Sequence, residues 1–311
     1  MQKKVSLVIP SFNEEGNIPL LAQKIKDTFA NLPYDYEVIF VDDGSSDGTL
    51  ATIEMLSKHD KRLHYLSFSR NFGHQCALKA GLDYATGDCV ISLDADMQHP
   101  PELIPTLLKH WEEGYEIVYT KRLEDKKLPY LKRVTSSLFY RLINFLSDIS
   151  LEEGTADFRL MDRVAVVVFK QLPERDLFVR GMVKWIGFKQ YCVDYKPHQR
   201  FSGVSKYSFR KMLRLALTGI TSFSVKPLRL ATWLGFGLSG LSFLYGLIAF
   251  YGYFFTHWNV SGWTSLAMGI MFIGGMQLIM LGIIGEYIGK LFLQSKQRPS
   301  YIIRKKSIEE A

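Results

Sequence analysis

Two carboxylates one residue apart, Asp94 and Asp96, follow the short apolar run Val90–Leu93 in the stretch V-I-S-L-D-A-D-M-Q-H-P-P-E. Successive strand residues point to opposite faces, so residues i and i+2 at a strand tip can aim their oxygens at one point. A hard divalent cation such as Mg2+ or Mn2+ takes oxygen ligands of that kind. Gln98 adds a neutral oxygen close by, and Pro100 and Pro101 stop the strand and preset a helix expected over Pro101–Glu113. An acidic loop capping a helix is the plain alternative for so short a motif. The neighbouring segments decide between the two.

The elements that must position these carboxylates alternate in type. Val5–Ile9, ended by Pro10, predicts a strand and Ile18–Ala30 a helix. Glu37–Val41, Leu63–Ser67 and Val90–Leu93 read as further strands, with helices between them at Leu50–Lys58 and Cys76–Ala85. Such alternation builds βαβ units, hence a mostly parallel sheet with helices on both faces. Ligands of these sheets bind beyond the carboxyl ends of the strands. Three of those ends carry polar clusters: Ser11-Phe12-Asn13-Glu14-Glu15, Asp42-Asp43 and Asp94-Ala95-Asp96. A dinucleotide-binding domain would need G-x-G-x-x-G after the first strand. The chain has S-F-N-E-E-G there, with acids where a phosphate would sit. An edge lined by carboxylates must meet phosphates through a metal.

The 311 residues are 47% apolar, enough for a core, and carry a net charge of +7. A basic chain suits nucleic acid or an anionic membrane surface, and the distribution of charge selects the membrane. No residue from 230 to 256 or from 260 to 285 is charged, and each stretch exceeds the roughly 20 residues that span a bilayer. Two transmembrane helices are therefore expected, at about 230–256 and 260–288, joined by a connection without Lys or Arg. Lys226 and Arg229 precede the first, and Lys290, Lys296, Arg298, Arg304, Lys305 and Lys306 follow the second. The positive-inside rule then puts both termini in the cytoplasm, with residues 1–228 as the catalytic domain and 294–311 as a tail. Gly235, Gly237 and Gly240, then Gly282, Gly285 and Gly289, offer close helix contacts and leave room for a homo-oligomer. The three cysteines show no C-x-x-C spacing and read as reduced packing residues.

The set P-S-F-N-E-E, V-D-D-G-S-S-D-G-T and D-A-D-M-Q-H-P-P-E resembles the family 2 inverting glycosyltransferases. Four further features narrow the resemblance to the bacterial polyprenyl-phosphate glycosyltransferases of the bactoprenol glucosyltransferase type. They are S-R-N-F-G-H-Q at Ser69–Gln75, F-R-L-M-D-R at Phe158–Arg163, R-F-S-G-V-S-K-Y-S at Arg200–Ser208 and the two C-terminal spans. The similarity covers nearly the whole chain. It implies a GT-A fold, a nucleotide-sugar donor, a divalent metal cofactor (Mg2+ or Mn2+) and a polyprenyl-phosphate lipid acceptor at the inner membrane of a bacterium.

Residue by residue, the resemblance implies that Pro10, Asn13 and Glu14 line the nucleotide pocket and that Asp42 or Asp43 accepts a hydrogen bond from the base. Asp94, Asp96 and Gln98 match the metal motif, with Asp96 the more direct ligand. Asp157, just before F-R-L, matches an acidic residue near the acceptor, and a cap for the turn before a strand is its plain alternative. Arg133 and Ser137 match phosphate ligands on the acceptor side. Phosphate needs cations, and arginine offers a fork that lysine does not. Arg122, Arg159, Arg200 and Lys206 are the other candidates, the last two in a Gly/Ser-rich segment able to close as a lid. His74 reads as a structural hydrogen-bonding residue. Residues 128–146 and 207–225 mix basic and large apolar side chains and predict amphipathic helices lying in the bilayer interface. The expected reaction transfers one sugar from UDP-glucose to undecaprenyl phosphate with inversion. GDP-mannose, a UDP-aminoarabinose derivative and UDP-GlcNAc are the alternative donors, and a non-catalytic nucleotide-sugar-binding module is the remoter alternative.

Overall fold

A computed structural model of the chain describes residues 2–123, 154–175, 177–196, 221, 224–255 and 262–308. The chain opens β1 (Lys4–Ser11), α1 (Ile18–Phe29), β2 (Asp35–Asp42), α2 (Thr49–His59), β3 (Leu63–Phe68), α3 (His74–Tyr84) and β4 (Cys89–Ser92). It continues with α4 (Ile104–Glu112), β5 (Ile117–Arg122), β6 (Thr155–Asp162), α5 (Arg163–Lys170), α6 (Val179–Trp185) and β7 (Gln190–Tyr195). Two long helices, α7 (Lys226–Phe255) and α8 (Trp263–Ser295), and a last strand, β8 (Ile303–Lys306), complete it.

The eight strands form one sheet in the order β7-β5-β6-β4-β1-β2-β3-β8. Strands β1 to β4 are apolar on both faces because helices cover both, as parallel sheets require. Val5, Leu7 and Ile9 pack with Ile18, Leu21 and Leu107 on one side, while Val8 packs with Ala77, Leu78 and Val166 on the other. Between β3 and β4 the chain crosses back over β1, so the carboxyl ends of β1 and β4 flank a topological switch point. Sheets of this kind bind ligands there.

The strand and helix expectations hold to within a few residues, with three differences. The sheet is mixed: β1 to β4 and the β5–β7 pair run parallel, but β6 is antiparallel to both β4 and β5, and β8 is antiparallel to β3. The helix expected over Pro101–Glu113 starts as a 3-10 turn, Pro101–Leu103, before α4. Pro105 has no N–H to give to a carbonyl four residues back, and the Leu103 N–H closes instead on Pro100. The segment 294–311 is more than a tail: Ile303–Lys306 joins the sheet edge, Tyr301 stacks on Phe68, and the Tyr301 hydroxyl reaches Asp83.

The long helices carry two stretches apolar enough to cross a membrane, Lys226–Gly252 and Met268–Ser295, neither buried within the chain. The first starts before the expected domain boundary at 228, and the second runs seven residues past 288, to Ser295. Phe236, Met271 and Leu278 stand 70% or more exposed, the arrangement of side chains whose solvent is lipid. Among the described residues, a Cβ added at Gly235 would have Met280 at 3.9 Å, and one added at any of the other five glycines expected at helix contacts would have nothing within 4 Å. The interfacial helix expected at 128–146, and nearly all of that at 207–225, lie outside the described residues.

Gly81 brings α3 so close to β1 that an added Cβ would collide with both γ-carbons of Val8. Gly81→Ala is expected to lower stability by roughly 1–3 kcal/mol, the usual range for overpacking, read as a lower thermal midpoint of the detergent-solubilised protein. At the amino edge of the sheet, the buried Glu37 carboxylate joins Lys4 at 2.6 Å, the Ser6 hydroxyl and the Thr86 N–H. Burial alone would raise its pKa, but these donors outweigh it and hold the carboxyl below its ordinary 4.5. A depressed folded-state pKa contributes stability above the unfolded value and loses it as pH falls through the folded one. Glu37→Gln is therefore expected to be destabilised at pH 7, with the gap to wild type narrowing as pH is taken below 4.5 in urea unfolding.

Candidate active site

The loops after β1 and β2 build one wall of the switch-point crevice. Asn13 takes a left-handed backbone, φ 56°, and its side chain accepts the Ser46 N–H at 2.9 Å while its own N–H donates to the Ser45 hydroxyl. The Glu14 N–H donates to the Thr49 hydroxyl at 2.8 Å, and its carboxylate accepts from Asn17. Pro10 is buried in β1 opposite Val41. Asp42 accepts from the Ser45 N–H and the Ser67 hydroxyl; Asp43 accepts from the Phe72 and Gly73 N–H groups. Burial, partly offset by those N–H groups, leaves the Asp43 pKa raised. All four oxygens of this pair hold loops together. Gly44, φ 69°, belongs to the same device, since a Cβ there would lie 2.6 Å from the Arg70 backbone. The residues expected to meet a nucleotide thus form a hydrogen-bonded frame at this wall of the crevice.

The β4 loop supplies the opposite wall. The Gln98 N–H donates to the Asp96 carboxylate at 3.1 Å, with Met97 between them at φ 64°. His99, 5% exposed, stacks on Phe158, and its Nδ1 accepts the Asp94 N–H at 2.9 Å. That bond leaves the proton on Nε2, 3.7 Å from Asp94 Oδ2. The other oxygen, Asp94 Oδ1, is buried without a hydrogen-bond partner. Its contact is instead with the His74 imidazole, whose Nε2 lies 3.5 Å away. A divalent cation would satisfy this oxygen, so the residues present fit one. Among the described residues, no group of three or more His, Cys, Asp or Glu side chains is placed to hold a metal by itself. A Mg2+-type ion that shares one or two carboxylates with substrate phosphates needs no such cage.

Strand β6 brings the third carboxylate. Being antiparallel to β4, it starts at the edge where β4 ends; the register Ser92↔Arg159, continued two residues, sets Asp157 opposite Asp94. Asp157 is 5% exposed, and three cations surround it. Arg180 grips it with two bonds of 2.9 Å, one to each oxygen; Arg159 reaches Oδ1 at 3.0 Å; His74 Nε2 lies 3.5 Å from Oδ2 and equally far from Asp94 Oδ1. Burial opposes the ionised form of Asp157, yet Arg180, His74 and Arg159 prevail and hold its pKa well below the usual carboxylate range. Desolvation likewise opposes the charged imidazole of His74, whose side chain is 40% exposed, and Asp94 and Asp157 push it up to about 9. Arg159, lowered to about 10 mainly by burial, remains a cation at neutral pH. Three cations face two carboxylates, so the cluster keeps a positive balance for an anionic ligand. The Arg159 Nε–H is buried without a hydrogen bond, as is Asp94 Oδ1, which keeps only its contact with His74.

Arg122 ends β5 opposite Tyr195 of β7. Tyr195 is raised to about 12, first by burial; Arg122 and Arg180 oppose that shift, and Asp94 and Asp96 add to it. One phenol therefore feels the charges of Arg122, Arg180, Asp94 and Asp96. Arg133, Ser137, Arg200 and Lys206 lie outside the described residues. Two residues of the cluster are additions to the expected set: His74, read from sequence as structural, and Arg180, in the stretch F-V-R-G-M-V-K-W. The signal for His74 was its place in S-R-N-F-G-H-Q. Arg180 carried none, since the fold alone sets it beside Asp157.

The switch point of the sheet thus brings an acidic pair beside clustered arginines. The model of glycosyl transferase family 2 matches residues 6–168, and that of the GtrB C-terminal hairpin matches residues 226–291. The chain belongs to glycosyl transferase family 2 and is a glycosyltransferase. It is 44% identical over 300 residues to the uncharacterized glycosyltransferase YkcC of Bacillus subtilis (strain 168), covering 96% of this chain and 93% of the relative. It is also 44% identical, over 301 residues, to the bactoprenol glucosyl transferase of Shigella phage SfV, covering 97% and 98%. Among solved structures, a mannosyltransferase from Pyrobaculum calidifontis, in complex with GDP-Man and Mn2+, superposes with a TM-score of 0.50 at 16% identity. That match covers 71% of this chain and 64% of the other, a likeness of fold.

Arg180→Lys keeps the charge but loses the fork that grips both Asp157 oxygens. It is expected to lower sugar transfer on the order of tenfold, with the melting temperature within a few degrees of wild type. Steady-state rates and a thermal scan on the same preparation check this.

Proposed function

We propose that this chain transfers a single glucose from UDP-glucose to the phosphate of a polyprenyl lipid such as undecaprenyl phosphate, with inversion, at the cytoplasmic face of a bacterial inner membrane. The observation that carries the proposal is the pair of unsatisfied buried atoms in one cluster, Asp94 Oδ1 and Arg159 Nε, an acceptor for a cation beside a donor for a phosphate oxygen. The relative named as a bactoprenol glucosyl transferase, aligned over nearly its full length, supports the lipid acceptor and the sugar. The two apolar helices support a membrane setting.

Asp94, Asp96 and Gln98 would hold a divalent cation, Mg2+ or Mn2+, whose Lewis acidity neutralises the diphosphate as it leaves. The loops framed by Asn13, Glu14, Asp42 and Asp43 hold the nucleotide, with Asp42 or Asp43 at the base. Arg122 and Arg159 orient phosphate oxygens, joined by Arg133, Ser137, Arg200 and Lys206 on the acceptor side. A lipid phosphate oxygen attacks the anomeric carbon from the face opposite the diphosphate. The carbon–oxygen bond to the diphosphate breaks, and its electron pair stays on the leaving oxygen. The acceptor is already ionised near neutral pH, so it needs placing more than deprotonation. Asp157 suits that demand: held ionised and gripped on both oxygens, it is a weak base and a firm anchor for the cations around it.

Strand β8 follows the second long helix and pairs with β3 of the catalytic sheet. This supports a hairpin that crosses the bilayer twice and returns the chain to the side on which it began.

Purified protein in detergent, given radiolabelled UDP- and GDP-sugars with undecaprenyl phosphate and Mg2+, is expected to make labelled glycolipid from UDP-glucose. EDTA and Asp96→Asn should each abolish it. Product from another donor would replace the sugar, and no product from any donor with folded protein would sink the transfer reaction in favour of a binding module.

A further inference from the structure

The end of the second long helix is fastened to the segment that carries Arg180. In the last turn of α8, the Gln294 side-chain amide bonds in both directions: Nε2 donates to the Pro173 carbonyl at 2.6 Å, and Oε1 accepts the Arg175 N–H at 3.0 Å. An amide that joins a carbonyl and an N–H two residues apart copies one rung of a β-ladder. The Arg175 guanidinium donates in turn to the Leu293 carbonyl at 3.1 Å. Carbonyls in the last turn of a helix have no partner within it, and the dipole favours a cation there. Helix and segment therefore cap each other.

From this fastening the chain leads directly to the catalytic edge. Leu177 and Phe178 are buried 8% and 6% exposed, which anchors the segment in the core. The Val179 N–H donates to Gln75 Oε1 at 3.0 Å, beside His74, and Arg180 grips Asp157. One short stretch is thus held at one end by a membrane helix and at the other by the carboxylate opposite Asp94.

We propose that Gln294 and Arg175 are positioning residues for sugar transfer: by fixing residues 173–175 to the end of α8, they set where Arg180 holds Asp157. The seating of the membrane hairpin against the catalytic domain thereby tunes the alignment of the acceptor side of the site. The rate consequence rests on the lipid-transfer reaction proposed above, whereas the structural coupling does not.

The test uses the full-length protein in vesicles of phosphatidylethanolamine and phosphatidylglycerol containing undecaprenyl phosphate. Gln294→Ala is expected to lower kcat on the order of tenfold while the KM for the nucleotide sugar stays within about twofold, because the nucleotide frame is untouched. Deuterium uptake in a peptide spanning residues 177–186 should rise, and Gln294→Ala should add little when placed on Arg180→Lys. Gln294→Glu, which keeps the acceptor for the Arg175 N–H and loses the donor to Pro173, should fall between the two and serves if the alanine variant folds poorly. Unchanged kcat with unchanged uptake overturns the proposal, as does an effect that multiplies in full with that of Arg180→Lys. If the wild type transfers to no lipid, the transfer reaction fails by itself, and uptake still decides: a rise sustains the coupling and no change overturns it.

Discussion

The interaction on which the site depends is the grip of Arg180, Arg159 and His74 on the buried carboxylate of Asp157. Removing such a charge from water is costly, and taking away one partner of a buried pair typically costs about 3–5 kcal/mol because the other is left uncompensated. The cluster is stable only as a set. Its members come from four elements, α3, β6, α6 and the loop after β4, so the electrostatic demand of one carboxylate fixes the relative placement of all four. What the set offers a substrate follows from its balance: cations in excess, with one acceptor and one donor that make no hydrogen bond.

The topology makes that convergence possible. A parallel sheet alone would deliver residues to its carboxyl edge only from strand ends. Inserting β6 antiparallel between β4 and β5 lets the beginning of a strand reach the same edge, and Asp157 and Arg159 arrive in this way opposite Asp94 and Ser92. The loops after β1 and β2 solve a different problem. Asp42 and Asp43 are buried and would destabilise the fold if unpaired, so backbone N–H groups and a hydroxyl surround them and stiffen the crevice before any ligand enters. Rigidity obtained in this way is what orientation-driven chemistry needs.

The last long helix and the strand after it meet the rest of the chain at two places. Strand β8 extends the sheet at β3, and α8 caps itself on residues 173–175. An acceptor phosphate attached to a lipid must meet a site at fixed depth, and two attachments restrict the catalytic domain far more than one flexible linker would.

The sequence by itself determined the alternation of strands and helices, the polar strand ends and the two apolar spans. Each of these is a local pattern: period two or 3.6, a proline stop, or a run without charge. It also made the acidic pair Asp94 and Asp96 legible, because an i, i+2 spacing is local. The tertiary structure alone decided the antiparallel insertion of β6, the return of residues 303–306 to the sheet, and the recruitment of His74 and Arg180 to Asp157. The physical reason is range. Asp157 and Arg180 are 23 residues apart and Asp157 and His74 are 83 apart, and nothing local to either partner records a pairing driven by burial of a charge that only the assembled sheet creates.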